Sequence, residues 1–107
     1  MEKAEKDISR AFLLAIGENI RERRKLKELT LEELGLEIGL TRMQVGRVER
    51  GYNITAVTIL KFSMALSARP EELVRFGQKF KKEDLEKLVS TNKASKLKPR
   101  PRPKVKK

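Results

Sequence analysis

Two helix-start signatures stand eleven residues apart in the middle of the chain, and they leave little choice of local fold. Thr30 with Glu33 has the spacing of a capping box. In that device the threonine hydroxyl and the carboxylate three residues on each accept a backbone N–H that a new helix leaves unpaired. Leu29 and Leu34 occupy the flanking positions of a hydrophobic staple. Thr41 with Gln44, and Leu40 with Val45, repeat both devices. Gly39 and Gly51 then stand where a helix ends in a left-handed residue, a conformation that costs glycine nothing sterically. The pattern specifies two short helices joined by a tight turn.

The flanks extend the helical reading. A first helix, capped by Asp7 and ending near residues 26–27, sets Ile8, Phe12, Ala15, Ile16 and Ile20 on one face, with Leu13 and Leu14 widening the stripe. After the pair, Thr55 caps a fourth helix with Ile59, Phe62, Ser63 and Leu66 at inward spacing. A fifth starts at Pro70, with Glu71 and Glu72 in its first turn and Leu73, Val74 and Phe76 to bury. Residues 84–89 suit one more short helix. No stretch longer than a few residues alternates apolar with polar, so the expected class is all-α: a compact five-helix domain followed by a disordered basic tail.

Charge marks where the domain stops. Residues 1–76 carry 14 basic and 12 acidic side chains, whereas residues 77–107 carry 12 basic and only 3 acidic ones. The last segment is also poor in apolar residues and cannot offset the entropy of ordering itself. We place the domain at residues 7–89 and a disordered Pro/Lys/Arg-rich tail at residues 90–107. From Lys93 on there are eight basic residues and no acidic one. The Arg100-Pro101-Arg102-Pro103 run looks like an AT-hook core with proline in place of the central glycine, which favours nonspecific phosphate attraction over minor-groove reading.

Several function classes drop out. The chain has no His and no Cys, which removes an imidazole base, a thiolate nucleophile and the ligand set of a zinc site; neither a metal nor a cofactor is expected. Its acidic pairs Glu32-Glu33, Glu71-Glu72 and Glu83-Asp84 each sit at a helix start, where the macrodipole accounts for them without acid–base work. No enzyme is expected. The longest apolar run, 11–16, is too short to span a bilayer, so the expectation is a cytoplasmic protein without membrane contact.

Taken together, Ile20-Arg21-x-x-Arg24, Leu29-Thr30-x-Glu32-Glu33-Leu34-Gly35, Gly39-Leu40-Thr41, residues 45–51 and Ala65-Leu66 resemble the lambda-repressor-like helix-turn-helix regulators, the XRE family, over residues 16–76. The resemblance implies a five-helix DNA-binding domain whose third helix, about residues 41–50, enters the major groove. It also implies that Arg24 of the first helix pairs with Glu49 at the end of the third, a structural ion pair. The family's phosphate-gripping loop corresponds to Gly51-Tyr52-Asn53. Three positions depart from the family: Leu31 replaces a DNA-contacting Gln, Gly35 an Ala and Gly46 a common Ser. They point to an altered operator preference, and Gly35 is expected to let the third helix pack closely.

The third helix supports this on its own chemistry. At about 100° per residue, Val45, Val48 and Glu49 share an inner side while Met43, Arg47 and Arg50 point outward, flanked by Arg42 and Gly46. The expected base readers are Arg42 and Arg47 toward guanine, Gln44 toward adenine and Met43 toward a thymine methyl, with Gly46 leaving room for close approach. Gln44 has a competing role as the third residue of its capping box, and Arg50 a competing role against the helix dipole. Expected phosphate contacts are Thr30, Thr41, Arg50, Tyr52 and Asn53. The leading functional expectation is a transcriptional regulator binding double-stranded DNA as a homodimer on a palindromic operator. The alternatives are the antitoxin of a toxin pair, with the toxin as protein partner, and a restriction-modification controller.

Overall fold

The computed structural model describes residues 8–91, and among these there are helices and no strands. Their order is α1 (Ile8–Leu26), α2 (Leu31–Ile38), α3 (Arg42–Glu49), α4 (Ala56–Leu66), α5 (Pro70–Leu73) and α6 (Lys82–Thr91). The first five are the expected ones. The sixth begins two residues before the expected 84 and runs through residue 91, so residues 90–91 are helical rather than tail. Asp7, expected as the cap of α1, the rest of the tail and its AT-hook-like run lie outside the described residues.

One core joins the elements. Ile16 and Ile20 of α1, Leu34 and Ile38 of α2, Val45 and Val48 of α3, Phe62 and Leu66 of α4 and Leu73 of α5 are all buried in a single cluster. Phe62 has no exposed surface at its centre; truncating such a ring to alanine costs about 3–5 kcal/mol. Ser63, the polar member of the inward face of α4, is buried but satisfied, its hydroxyl donating to the Leu60 carbonyl at 2.9 Å. Ile59 is only half-buried.

The helix ends show how turns are built with and without glycine. Gly39, at φ +78°, ends α2, and the amides of both Gly39 and Leu40 donate to the Gly35 carbonyl. Gly51, at φ +96°, ends the α3 turn in a full Schellman motif: Gly51 N–H donates to Val48 O and Tyr52 N–H to Arg47 O, each at 3.0 Å. Glu28 and Ser67 take the same left-handed conformation after α1 and α4. The same motif follows α1, since Glu28 N–H donates to Lys25 O and Leu29 N–H to Arg24 O.

Two long-range devices fix α1 against the far end of the domain. The Asn19 carboxamide donates to the carbonyls of Leu73 and Arg75 at 2.9 and 3.1 Å, satisfying acceptors that the short α5 leaves open. Phe12, expected inside, stays partly exposed because it packs at the rim on Phe76, ring centroids 5.2 Å apart, and Phe76 in turn meets Phe80 at 5.9 Å. These rings seat α6, which packs on α1.

Candidate nucleic-acid interface

The geometry of the site begins with the two capping boxes. Thr30 Oγ1 accepts the Glu33 amide at 3.0 Å while the Glu33 carboxylate accepts the Thr30 amide at 2.9 Å. Thr41 and Gln44 repeat the exchange at 3.1 and 2.8 Å. Both threonines are exposed, and each hydroxyl keeps its proton for an outside acceptor. Gln44 does not have the same freedom. Its Oε1 already accepts the Thr41 amide, so a bidentate adenine contact has to use the second lone pair of that oxygen together with the NH₂.

The inner side of α3 is locked by charge as well as by Val45 and Val48. Arg24 Nε donates to Glu49 Oε2 at 2.7 Å and Nη2 to Oε1 at 3.0 Å, while Nη1 donates to the Leu29 carbonyl at 2.9 Å. The two side chains are 11% and 7% exposed. The Glu49 hydrogen bond raises the Arg24 pKa above its usual value against the opposing effect of burial, with attraction to the Glu49 charge adding to it. The arginine stays charged at every working pH. Gly17 completes this contact: a Cβ there would lie 2.5 Å from Glu49 O and 2.6 Å from Val48 O, so the backbone end of α3 rests directly on α1. Nothing local in the sequence marks Gly17, or Asn19, for these roles.

The outer side is different. Arg42, Met43, Gln44 and Arg47 are all exposed, and no carboxylate of the described residues pairs with Arg42, Arg47 or Arg50. Arg47 Nη2 donates to Met43 Sδ at 3.4 Å, and its guanidinium stands 6.0 Å from the centre of the Tyr52 ring. Beside Arg47 and Gln44 a shallow concavity of about 520 Å³ runs to Tyr52, Asn53 and the start of α4. Asn53 Oδ1 accepts the Ile54 amide at 2.8 Å, which leaves its NH₂ facing outward to donate.

Two glycines sit differently from expectation. Gly46 is buried, not open: a Cβ there would meet Arg50 Nη1 at 3.2 Å and Leu31 Cδ1 at 3.8 Å. A helical wheel treats α3 as isolated and misses this cover. The Arg50 guanidinium accordingly lies back over Gly46, one turn before its own place at the helix end. Gly35 makes room for the turn, since a Cβ there would collide with the Leu40 carbonyl rather than with the body of α3.

A tight two-helix unit, its second helix anchored on one face by core and ion pair and presenting an unneutralised basic face on the other, defines a lambda-repressor-like helix-turn-helix domain. The helix-turn-helix family model matches residues 20–73, half of the chain, and the chain belongs to that family, in its lambda-repressor-like (XRE) branch. Among solved structures it is similar to the restriction-modification controller protein C.AhdI from Aeromonas hydrophila, at 45% identity over 57% of this chain and 94% of that one, TM-score 0.55. It is also similar to the P22 c2 repressor, solved with a synthetic operator, at 30% identity over 56% and 92%, TM-score 0.54. A hypothetical transcription factor, NHTF from Neisseria, aligns at 28% identity over 82% and 92%, TM-score 0.55. No curated protein sequence matches. No helix of the described residues is long and apolar enough to cross a membrane.

Proposed function

We propose that the chain is a sequence-specific DNA-binding transcriptional regulator that places α3 in the major groove, acting as a homodimer on a palindromic operator. The observation that carries this reading is the division of α3 into a side fixed by Val45, Val48 and the Arg24–Glu49 pair and a side whose arginines have no carboxylate partner among the described residues. In this reading Arg42 and Arg47 donate to guanine edges, Met43 and Gln44 complete the base contacts, and Thr30, Thr41, Arg50 and Asn53 meet phosphates. The family membership and a neighbour solved with a synthetic operator support it. The basic run from Lys93 would add nonspecific phosphate attraction.

The alternative of a restriction-modification controller gains specific support from the 45% identity to C.AhdI across 94% of that protein. It is a particular setting for the same DNA-binding activity and leaves the site unchanged.

Retention from a randomised duplex pool at near-physiological salt tests the reading. The expected result is enrichment of an inverted repeat with half-sites about one helical turn, roughly 34 Å, apart. Retention without any enriched sequence would overturn it. For the controller setting, the enriched motif should occur upstream of a neighbouring restriction endonuclease gene; its absence there would remove that setting alone.

A further inference from the structure

Tyr52 is expected above as a phosphate contact, but its surroundings point to a different task. Its ring lies beside the Arg47 guanidinium, 6.0 Å from centroid to central carbon, and the same guanidinium donates through Nη2 to Met43 Sδ at 3.4 Å. The placement of Tyr52 is itself enforced. Its amide donates to the carbonyl of Arg47, and the bond exists because Gly51 turns the chain at φ +96°.

We propose that Tyr52 is the positioning residue for Arg47: its ring face, with the Met43 sulfur, holds the guanidinium in the orientation in which it reads a base. The inference rests on the reading of α3 as the base-contacting helix. An exposed arginine carries rotamer entropy that must be lost when its fork engages guanine O6 and N7. A guanidinium already held by contacts to an aromatic ring and a thioether has lost part of it before DNA arrives. Arg42 has no such support among the described residues, so the same helix supplies the internal comparison. Its discrimination is independent of Tyr52.

The distinction between platform and phosphate ligand is chemical. A platform acts through the ring, which phenylalanine retains; a phosphate ligand acts through the hydroxyl, which phenylalanine lacks. Tyr52 is 55% exposed, so its replacement leaves the core intact.

The experiment uses the full chain and duplexes carrying the motif enriched from the pool, with all four base pairs placed in turn at each position. Arg47→Ala identifies the position that Arg47 reads. Tyr52→Phe is expected to match the unaltered protein throughout. Tyr52→Leu is expected to lower discrimination at the Arg47 position about two- to five-fold, the worth of an exposed cation–π contact, while other positions and the salt dependence stay unchanged. Equal harm from Tyr52→Phe and Tyr52→Leu, or a loss spread evenly over all positions, would overturn the proposal in favour of phosphate contact. If Arg47→Ala relaxes no position, the base-reading assignment fails. If it relaxes one that Tyr52→Leu leaves intact, only the role of Tyr52 fails. Should Tyr52→Leu not fold by circular dichroism, Tyr52→Gln, which likewise lacks the ring, is read at the same position: a drop in discrimination there supports the proposal and an unchanged preference overturns it.

Discussion

Gly17→Ala isolates the contact that seats α3 on α1. In a free helix the change would be favourable by about 1 kcal/mol, because glycine is the poorer helix former. Here the new methyl would stand 2.5 Å from Glu49 O, 2.6 Å from Val48 O and 2.8 Å from Glu49 C, whereas real Cβ atoms essentially never approach closer than 3.0 Å. All three neighbours are backbone, so no side chain can swing aside and the two helices must part by about half an ångström. Overpacking of this kind costs about 1–3 kcal/mol and occasionally more. The displaced carbonyl also belongs to the residue whose carboxylate meets Arg24 at 2.7 and 3.0 Å, so the same movement strains a largely buried ion pair. Set against the propensity gain, the net expectation is a loss of about 1 kcal/mol, and at about 4–8 °C per kcal/mol for a domain of this size Tm falls by about 4–8 °C. Thermal unfolding followed by far-ultraviolet circular dichroism reads it. Gly77→Ala is the control, since a Cβ there has nothing within 4 Å. A Gly17→Ala protein that melts with or above the unaltered one would refute the reasoning, showing that propensity outweighs the α1–α3 contact.

Further outcomes can be measured. Arg24→Met strands the Glu49 carboxylate in a largely buried site and is expected to cost about 3 kcal/mol in urea unfolding, with part of the loss recovered when Glu49→Leu is added; a double variant no better than the single one would contradict this. Gly46→Ser brings a Cβ to 3.2 Å from Arg50 Nη1, and because that neighbour is the far end of a flexible chain, stability should barely move. Arg50→Gln, which removes the charge itself, should take about one unit from the slope of log K against log salt, and an unaltered slope would remove Arg50 from the phosphate contacts. The Glu72 carboxylate accepts the Arg69 amide at 3.0 Å, and that bond, aided by the charges of Arg23, Arg69 and Arg75, lowers its pKa below the usual glutamate value. Its contribution to stability is therefore complete above the ordinary glutamate range and lost as pH falls through the lower folded value; carboxyl NMR should show Glu72 titrating below the other glutamates, and an ordinary midpoint would dismiss the α5 cap.

What could be read from the chain alone follows from the range of the forces involved. Capping boxes, staples and glycine stops act over three to six residues, and α2, α3 and the turn between them lie where Thr30, Thr41 and Gly39 place them. The stops at Glu28 and Ser67 carry no such mark, because these residues accept a left-handed backbone that their own chemistry disfavours. Contacts closed through space were equally hidden. Asn19 reaches Leu73 across 54 residues, and Phe12 stays at the rim only because Phe76 and Phe80 gather there. For the site, a helical wheel separates Val45 and Val48 from Arg42, Met43 and Arg47. It cannot show that Leu31 and Arg50 close over Gly46, or that Tyr52, beyond the helix end, returns to Arg47.

The two sides of α3 also differ in how freely they can change. Arg42, Met43 and Arg47 touch no core residue in the contacts described above, so new side chains at these three places alter what the helix recognises without a folding penalty. Such a protein can drift to a new target, or be redirected to one by design, while its scaffold stays the same. Gln44 stands apart: its Oε1 closes the cap at Thr41, so any replacement other than Glu changes recognition and helix start together. Variation among natural or engineered relatives of this chain should therefore be broad at 42, 43 and 47 and narrow at 44.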